Sequence, residues 1–447
     1  MAYFHSVTLD KDRCHGCTNC IKRCPTEAIR VRDGKAKIIK ERCIDCGECI
    51  RVCPYHAKLA ACDSLDTLNN FKYNIALPAP SLYGQFGRDT TIDRILNGLV
   101  HIGFDSVYEV ARGAEYVTEC TKKLMQRQDI QKPVISCACP AVVRLIKVRF
   151  PNLIDNIIDL LSPMEVAAYN ARMEAKADTG LGSEDIGVFF ITPCPAKVTA
   201  VKAPLSVEKS AVSGAISVND VFVKLYPIIK KIEPAPGLSK AGLGGVAWAN
   251  SGGESEGSGL KNYIAVDGIE NVMKILEEVE DEKVSGIDFI ELSACQGGCV
   301  GGVLNVVNSY IAKNNLKHLF EDMPSGESAN IDPDPAEYAW EKTIEFDQIM
   351  RLDEDLDVAM EKMEKMEKIF DSLPKLDCGS CGAPSCRALA EDIVRGFGDE
   401  SFCIFKIKER VENLTNELHV LQRSANKKLR ESKPKDGRSS CGEDKTE

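Results

Sequence analysis

No uninterrupted apolar run among the 447 residues approaches the roughly 18 that a helix needs to cross a bilayer. The opening stretch, Met1 to Ser6, lacks both the basic and the apolar regions of a secretory signal. A membrane partner is excluded on this reading, and the cytoplasm is the expected location. Basic charge is also short: 56 Lys and Arg face 67 Asp and Glu, a net charge of −11. That balance argues against nucleic acid as the main partner and admits acidic electron carriers only through local basic patches. Nothing in the composition marks a disordered chain, since 44% of the residues are hydrophobic and the length allows about three domains.

What the chain has in quantity is cysteine, 20 residues in all. A cytoplasmic compartment keeps thiols reduced, so disulfides are not expected, and the grouping has the spacing of cluster ligands. Cys14-x2-Cys17-x2-Cys20-x3-Cys24-Pro25 is repeated as Cys43-x2-Cys46-x2-Cys49-x3-Cys53-Pro54, the two-cluster run of bacterial ferredoxins. Three close cysteines wrap one face of a 4Fe–4S cube and the fourth crosses to the other. Cys14, Cys17, Cys20 and Cys53 are therefore expected to hold one cluster, and Cys43, Cys46, Cys49 and Cys24 its partner. Zinc is the alternative, set aside because of the triple spacing and the trailing Cys-Pro. His56, just past the second run, is expected at the surface. Four cysteines for each of four cubes use sixteen, and Cys62, Cys120, Cys137 and Cys441 are left as ordinary thiols.

From Phe71 to Asp347 short β-branched or apolar runs alternate with amphipathic stretches, the pattern of an α/β domain. Strands are expected at Asn74 to Ala79, Val134 to Ser136, Gly187 to Ile191 and Asp288 to Leu292. Helices are expected at Thr91 to Val100, Ala141 to Arg149, Met164 to Lys176, Val218 to Lys231 and Gly268 to Glu280. Three cysteine loops follow buried apolar runs: Ser136 to Pro140, Thr192 to Lys197 and Glu291 to Gly302. Four thiolates then converge where strands of an α/β core end, which is how a crevice for a cluster is built. Gly297 and Gly298 between Cys295 and Cys299 let the backbone pass close to a cluster.

The order and local sequence of these loops resemble the H-cluster domain of the di-iron (FeFe) hydrogenases. The resemblance implies two α/β lobes with the H-cluster between them: a 4Fe–4S cube on Cys139, Cys194, Cys295 and Cys299, and a di-iron unit carrying CO, cyanide and a dithiolate. It makes Cys299 the bridge between the two parts and turns Lys197 toward a cyanide. Ser162 to Glu165 and the glycine-rich Asn250 to Glu254 match further family segments; the latter is by itself a plain flexible turn, and no phosphate site is read from it. Three positions depart. Ala138 stands where fast members carry a second cysteine that moves protons, so slow chemistry is expected, general acid–base help contributing typically about 10²–10⁴-fold. Thr192 and Ser293 stand where catalytic members place Met beside the di-iron unit, a retuned site. Cys137 points to the opposite face of extended backbone and is not expected to replace the missing thiol. Glu109, Glu115 and Glu119 lie where a proton path is sought, but a solvated helix face accounts for them equally well.

Arg351 to Phe370 reads as a connecting helix whose Leu352, Leu356, Met360, Met363 and Met366 form a packing stripe. Cys378-x2-Cys381-x4-Cys386-x16-Cys403 follows and resembles a small 4Fe–4S domain found in a corrinoid protein and in regulatory relatives of the FeFe hydrogenases, with zinc as the alternative. Lys406 to Leu429 reads as a polar-faced helix suited to a partner or to self-association, and residues from Glu431 onward as disordered. The expected domains are 1–62, a two-cluster ferredoxin-like module; 71–350, the two-lobed α/β H-cluster domain; 351–370, the connecting helix; 371–410, a small helical 4Fe–4S domain; and 411–447, helix and tail. This combination with Ala138 is similar to the sensory hydrogenases, in which an output domain often follows. None is read here, so a signal is expected to leave through a separate protein or by electron transfer. The expected partners are H2 and protons, a ferredoxin-like carrier, a signalling protein and a second copy of the chain. A metabolic ferredoxin-linked hydrogenase and an assembly scaffold without the di-iron unit are the competing readings, and the Pro-Cys-x-x-Lys loop argues against the scaffold.

Overall fold

Each half of the cysteine repeat builds the same piece of backbone. In a computed structural model that describes residues 4–233, 235–323 and 331–431, β1 (Val7–Leu9) pairs antiparallel with β4 (Lys58–Ala60), and β2 (Ile29–Arg32) with β3 (Lys35–Ile38). Two one-turn helices, α1 (Asn19–Lys22) and α2 (Glu48–Arg51), carry Cys20 and Cys49. The amide of Ala28 donates to Cys24 Sγ at 3.2 Å, and that of Ala57 to Cys53 Sγ at 3.3 Å. Glu27 and His56 share a left-handed φ of 49° and 49°. His56 is exposed, as expected.

The next seven strands are β5 (Tyr73–Pro78), β6 (Ser106–Val107), β7 (Val134–Ile135), β8 (Ile186–Thr192), β9 (Gly214–Ser217), β10 (Tyr263–Asp267) and β11 (Phe289–Ser293). They form two parallel sheets, ordered β6-β5-β8-β9 and β10-β11-β7, one in each lobe. Helices α3 (Ile92–His101), α4 (Val110–Met125), α5 (Pro140–Arg149), α6 (Pro163–Thr179), α7 (Pro195–Lys202) and α8 (Val218–Leu225) follow in chain order. The short α9 (Leu243–Ala247) and α10 (Gly253–Gly257) precede α11 (Ile269–Glu280) and α12 (Ser309–Asp322). β8 is buried along its whole length because helices cover both faces. Phe189 joins Leu96 and Ile216 in one core, while Phe190 joins Met164 and Val198 in the other. Full burial of each ring contributes about 1.5–3 kcal/mol.

The chain thus adopts the α/β class expected of it. Several elements differ: β6, β9 and β10 and helices α4, α7 and α12 fall outside the expected ones. The stretch Val218 to Lys231 is not one helix: Pro227 has no N–H to continue the ladder, so α8 stops at Leu225 and a 3₁₀ turn follows at Ile229–Lys231. β6 and β9 are only two and four residues long, and β10 is half-buried with weak alternation, so none of the three carries a clear strand pattern.

Among the described residues, those from Leu352 on form a second compact unit, separate from those up to Arg351. Within it, α13 (Leu356–Ser372) packs on α14 (Cys386–Val394), and α15 (Ile404–Glu431) leads away. The expected stripe is mostly not a packing surface. Met366 and Ile369 enter the small core with Leu373, Ala383 and Leu389, whereas Leu356, Met360 and Met363 are exposed. Cys441 and the tail from residue 432 lie outside the described residues.

The ferredoxin-like module is bolted to the central domain by a buried carboxylate. Asp45 accepts from the amide of Val7 at 3.0 Å and from Thr199 Oγ1 at 2.9 Å, and it bonds His5 Nδ1 at 2.9 Å. Ser6 adds bonds to Thr199 Oγ1 and to the Pro195 carbonyl, 3.1 and 2.7 Å. Thr199 and Pro195 belong to α7, so the loop holding Cys43 and Cys46 is tied to the helix that follows Cys194. Replacing Asp45 by Ala orphans these donors at about 1–3 kcal/mol each. Asp45→Ala is expected to speed proteolytic cutting between residues 62 and 71; an unchanged digestion rate would contradict this role.

Candidate metal centre

The carboxyl ends of β7, β8 and β11 deliver the three cysteine loops to one place. Cys139 and Cys194 occupy the caps of α5 and α7, and Pro140 and Pro195 open those helices. Proline at the first helical position has no N–H to orphan and a φ already set for helix, so each cysteine is held at the positive end of a helix dipole. Cys295 lies in the turn after β11, and Cys299 opens a 3₁₀ turn, Cys299–Gly301. All four line a single cavity of about 910 Å³, part of it open to solvent, together with Ala138, Lys197, Ser293, Glu254 and Glu291. Gly298 has φ 91°, and a Cβ there would meet the Ser251 nitrogen at 2.5 Å. Glycine is demanded by neighbouring protein backbone, a reason the loop sequence alone did not disclose.

Burial pushes the Cys194 thiol up to about 12, helped by the sulfur of Cys139 and opposed by Lys197. Cys139 is raised by burial, and Cys295 is raised well above the ordinary thiol range by burial and by Cys194 and Cys139. Burial works against the charge of Lys197, but attraction to Cys299, Cys194, Cys139 and Cys295 outweighs it and holds the ammonium's pKa above its usual value. Nζ also lies 5.7 Å from the centre of the Phe190 ring. Four soft thiols with one cation among them suit an iron–sulfur cluster, which binds them deprotonated and so supplies the missing positive charge.

Glu254 and Glu291 stand side by side in the cavity wall. Glu254 Oε2 accepts from Ser136 Oγ at 2.6 Å, and the amide of Ala138 donates to the same hydroxyl at 3.2 Å. Glu291 accepts from the amides of Gly252 and Ser255 and from Ser255 Oγ at 2.8, 3.0 and 2.9 Å. Burial first and the Glu291 carboxylate second push Glu254 up to about 8. The turn before Glu254 is therefore not a plain flexible one: a Cβ on Gly253 would meet the Ala247 carbonyl oxygen at 2.0 Å, and the close packing aims Glu254 inward.

The family model described as iron only hydrogenase large subunit, C-terminal domain, matches residues 72–225 and 237–303, both lobes and all three loops. The chain belongs to the FeFe hydrogenase family. A 4Fe-4S dicluster domain model matches residues 6–54, and an Fe-S cluster model matches residues 373–405. Iron hydrogenase 1 of Clostridium pasteurianum is 23% identical over 372 residues, 66% of this chain and 64% of that protein. The NADP-reducing hydrogenase subunit HndD of Solidesulfovibrio fructosivorans is 22% identical over 297 residues, 52% of this chain and 50% of that one. The alignments thus span less than two thirds of either relative. A solved FeFe-hydrogenase structure, from a study of oxygen inactivation at the H cluster, aligns at TM-score 0.48 and 15% identity over 62% of this chain and 94% of that one. An apo FeFe-hydrogenase variant from Chlamydomonas reinhardtii aligns at 0.45 and 16%, over 58% and 87%. No helix among the described residues is long and apolar enough to cross a membrane.

Not every residue singled out from the sequence reaches the site of this FeFe hydrogenase family member. Thr192 does not line the cavity; fully buried, its hydroxyl accepts from the amide of Cys194 at 3.1 Å and donates to the carbonyl at 3.0 Å, shaping the loop. Cys137 turns away and donates to the Leu160 carbonyl at 3.0 Å. Glu109 and Glu115 are buried rather than solvated: Glu109 accepts from Tyr83 Oη and the amides of Lys240 and Ala241, and Glu115 from the amide of Gly242. They anchor the 239–242 loop. Glu254 and Glu291 are the functional candidates that sequence reasoning missed.

Among the accessory thiols, Cys43, Cys46, Cys49 and Cys24 act on one another electrostatically, as do Cys20, Cys17 and Cys14. Buried Lys58 lowers both Cys20 and Cys49, against the dominant effect of burial. Cys53 takes its hydrogen bond from Ala57 at 3.3 Å. Cys46 also lines the main cavity, so the Cys24 group is the inner one. In the second unit Cys386 and Cys403 are buried, Cys381 half-buried and Cys378 exposed. Cys295→Ser is expected to remove about four iron atoms per chain from the reconstituted protein, one cube; undiminished iron would contradict a shared site.

Proposed function

We propose that this chain binds an H-cluster and works as a slow, H2-responsive redox protein. Cys139, Cys194, Cys295 and Cys299 would hold the cube, with Cys299 bridging to the di-iron unit and Lys197 paired with an anionic cyanide. The observation that carries the reading is that these four sulfurs and Lys197 line one cavity with room beside them. When bound, the group supplies the site at which H2 is split into two protons and two electrons, or formed from them. Three 4Fe–4S clusters complete the set, two on the N-terminal cysteines and one on Cys378, Cys381, Cys386 and Cys403.

The protein's own task is to move protons and electrons to and from that site. Ala138 has only a methyl group and holds no proton. Glu254 takes over as the proton-holding group: it is buried in the cavity wall and linked through Ser136 Oγ to the Ala138 loop. Below about pH 8 its carboxyl keeps a proton. Electrons leave on the Cys46 side, through the inner and outer accessory clusters, to a ferredoxin-like carrier. Slow turnover makes the redox state of these clusters the output, read by a signalling partner or within a homodimer; Ser293 beside the cavity belongs to the same retuning.

Dye-linked turnover of the reconstituted protein tests the proposal. The unmodified chain is expected to be slow, Ala138→Cys faster by roughly 10-fold or more, and Glu254→Gln slower by about 10²-fold, within the range of general acid–base assistance. H2 formation needs Glu254 protonated, so its rate should fall as pH rises through about 8, and Glu254→Gln should abolish that decline. A fast unmodified protein would favour a metabolic hydrogenase, and rates indifferent to both substitutions would overturn the proton assignment.

A further inference from the structure

The longest helix of the chain is also the least covered. α15 runs on directly from Cys403, whose carbonyl accepts from the amide of Ile407 at 3.0 Å. From there Ile404, Ile407, Val411, Leu414, Leu418 and Leu421 recur at alternating intervals of three and four, and each is 45–64% exposed. An apolar repeat of 3.5 residues stays in line only against another helix of the same period, with a left-handed supercoil. A helix of this kind in water has little stability without such a partner.

We propose that the partner is the α15 of a second copy, in an antiparallel coiled coil over residues 404–421. A second copy supplies a seam of equal period and length, and the flanking charges choose the direction. Parallel pairing would set Arg410 against Thr415 and Glu417 against Gln422 of the other copy, and would bring two Lys428 side chains together in the seam. Antiparallel pairing matches Ile404 with Leu421, Ile407 with Leu418 and Val411 with Leu414. It also places Arg410 of each copy beside Glu417 of the other, two complementary pairs flanking the seam. Lys406 and Lys408 are already engaged within their own helix, by Glu409 at 3.2 Å and Glu412 at 3.8 Å.

The mass of the full-length, cluster-loaded protein by light scattering after size exclusion is the test. A dimer is expected, and Leu414→Glu/Leu418→Glu should yield a monomer with unchanged cluster absorption, because both side chains are more than half exposed and the fold does not use them. Arg410→Glu should weaken the dimer ~10-fold, and Arg410→Glu/Glu417→Arg should restore it. A monomeric unmodified protein, or a dimer that survives Leu414→Glu/Leu418→Glu, would overturn self-association through this helix. A dimer indifferent to the charge exchange would overturn the antiparallel register.

Discussion

Four thiols in one cavity, Cys194 and Cys295 buried and Cys139 and Cys299 half-buried, repel each other as soon as they ionise, and the rest of the central domain is arranged around that repulsion. Two of them sit at helix ends where backbone amides point at the sulfur, and one ammonium, Lys197, is drawn among them. Those groups soften the repulsion without removing it: burial first, and the neighbouring sulfurs after it, hold Cys194 and Cys295 above the ordinary thiol range. A polycationic centre such as an iron–sulfur cluster would supply the positive charge that holds all four as thiolates. The two sheets, the prolines at Pro140 and Pro195 and the bare backbone at Gly298 then have a common purpose: they fix three loops from distant parts of the chain at one spot.

Under the proposed function, the same geometry would keep electrons and protons apart. Cys46 reaches the cavity from the ferredoxin-like module, and the Asp45 network locks that approach to α7. Glu254 and Glu291 come from the other lobe, in the first turn of α10 and on β11. Ala138 offers only a methyl group, whereas Glu254 places a carboxyl with a raised pKa in the same wall; under the proposed function that carboxyl would be the acid–base group.

Much of this was written in the sequence because cysteine spacing is a covalent ruler. Both ferredoxin runs, the three loops and the strands leading into them can be read from residue order alone, and Pro227 marks in hindsight where α8 must stop. What could not be read depends on tertiary neighbours. Thr192 has the right position to face the cavity but spends its hydroxyl on Cys194. Glu254 looks like part of a loose glycine turn until the close approach of Gly253 to Ala247 aims it inward. Glu109 and Glu115 have the look of a wet helix face, and only packing against residues 239–242 shows otherwise. The methionine stripe of α13 has helical spacing, yet spacing does not say which half of a stripe finds a core.

The proposal that a di-iron unit belongs beside the cube is most directly tested by infrared spectroscopy of the protein after maturation with a synthetic di-iron complex. CO and cyanide stretching bands that shift when H2 is admitted are expected, and they should be lost in Cys299→Ser. A spectrum without those bands, from protein whose cubes are fully loaded, would contradict the proposal and leave an iron–sulfur scaffold in its place.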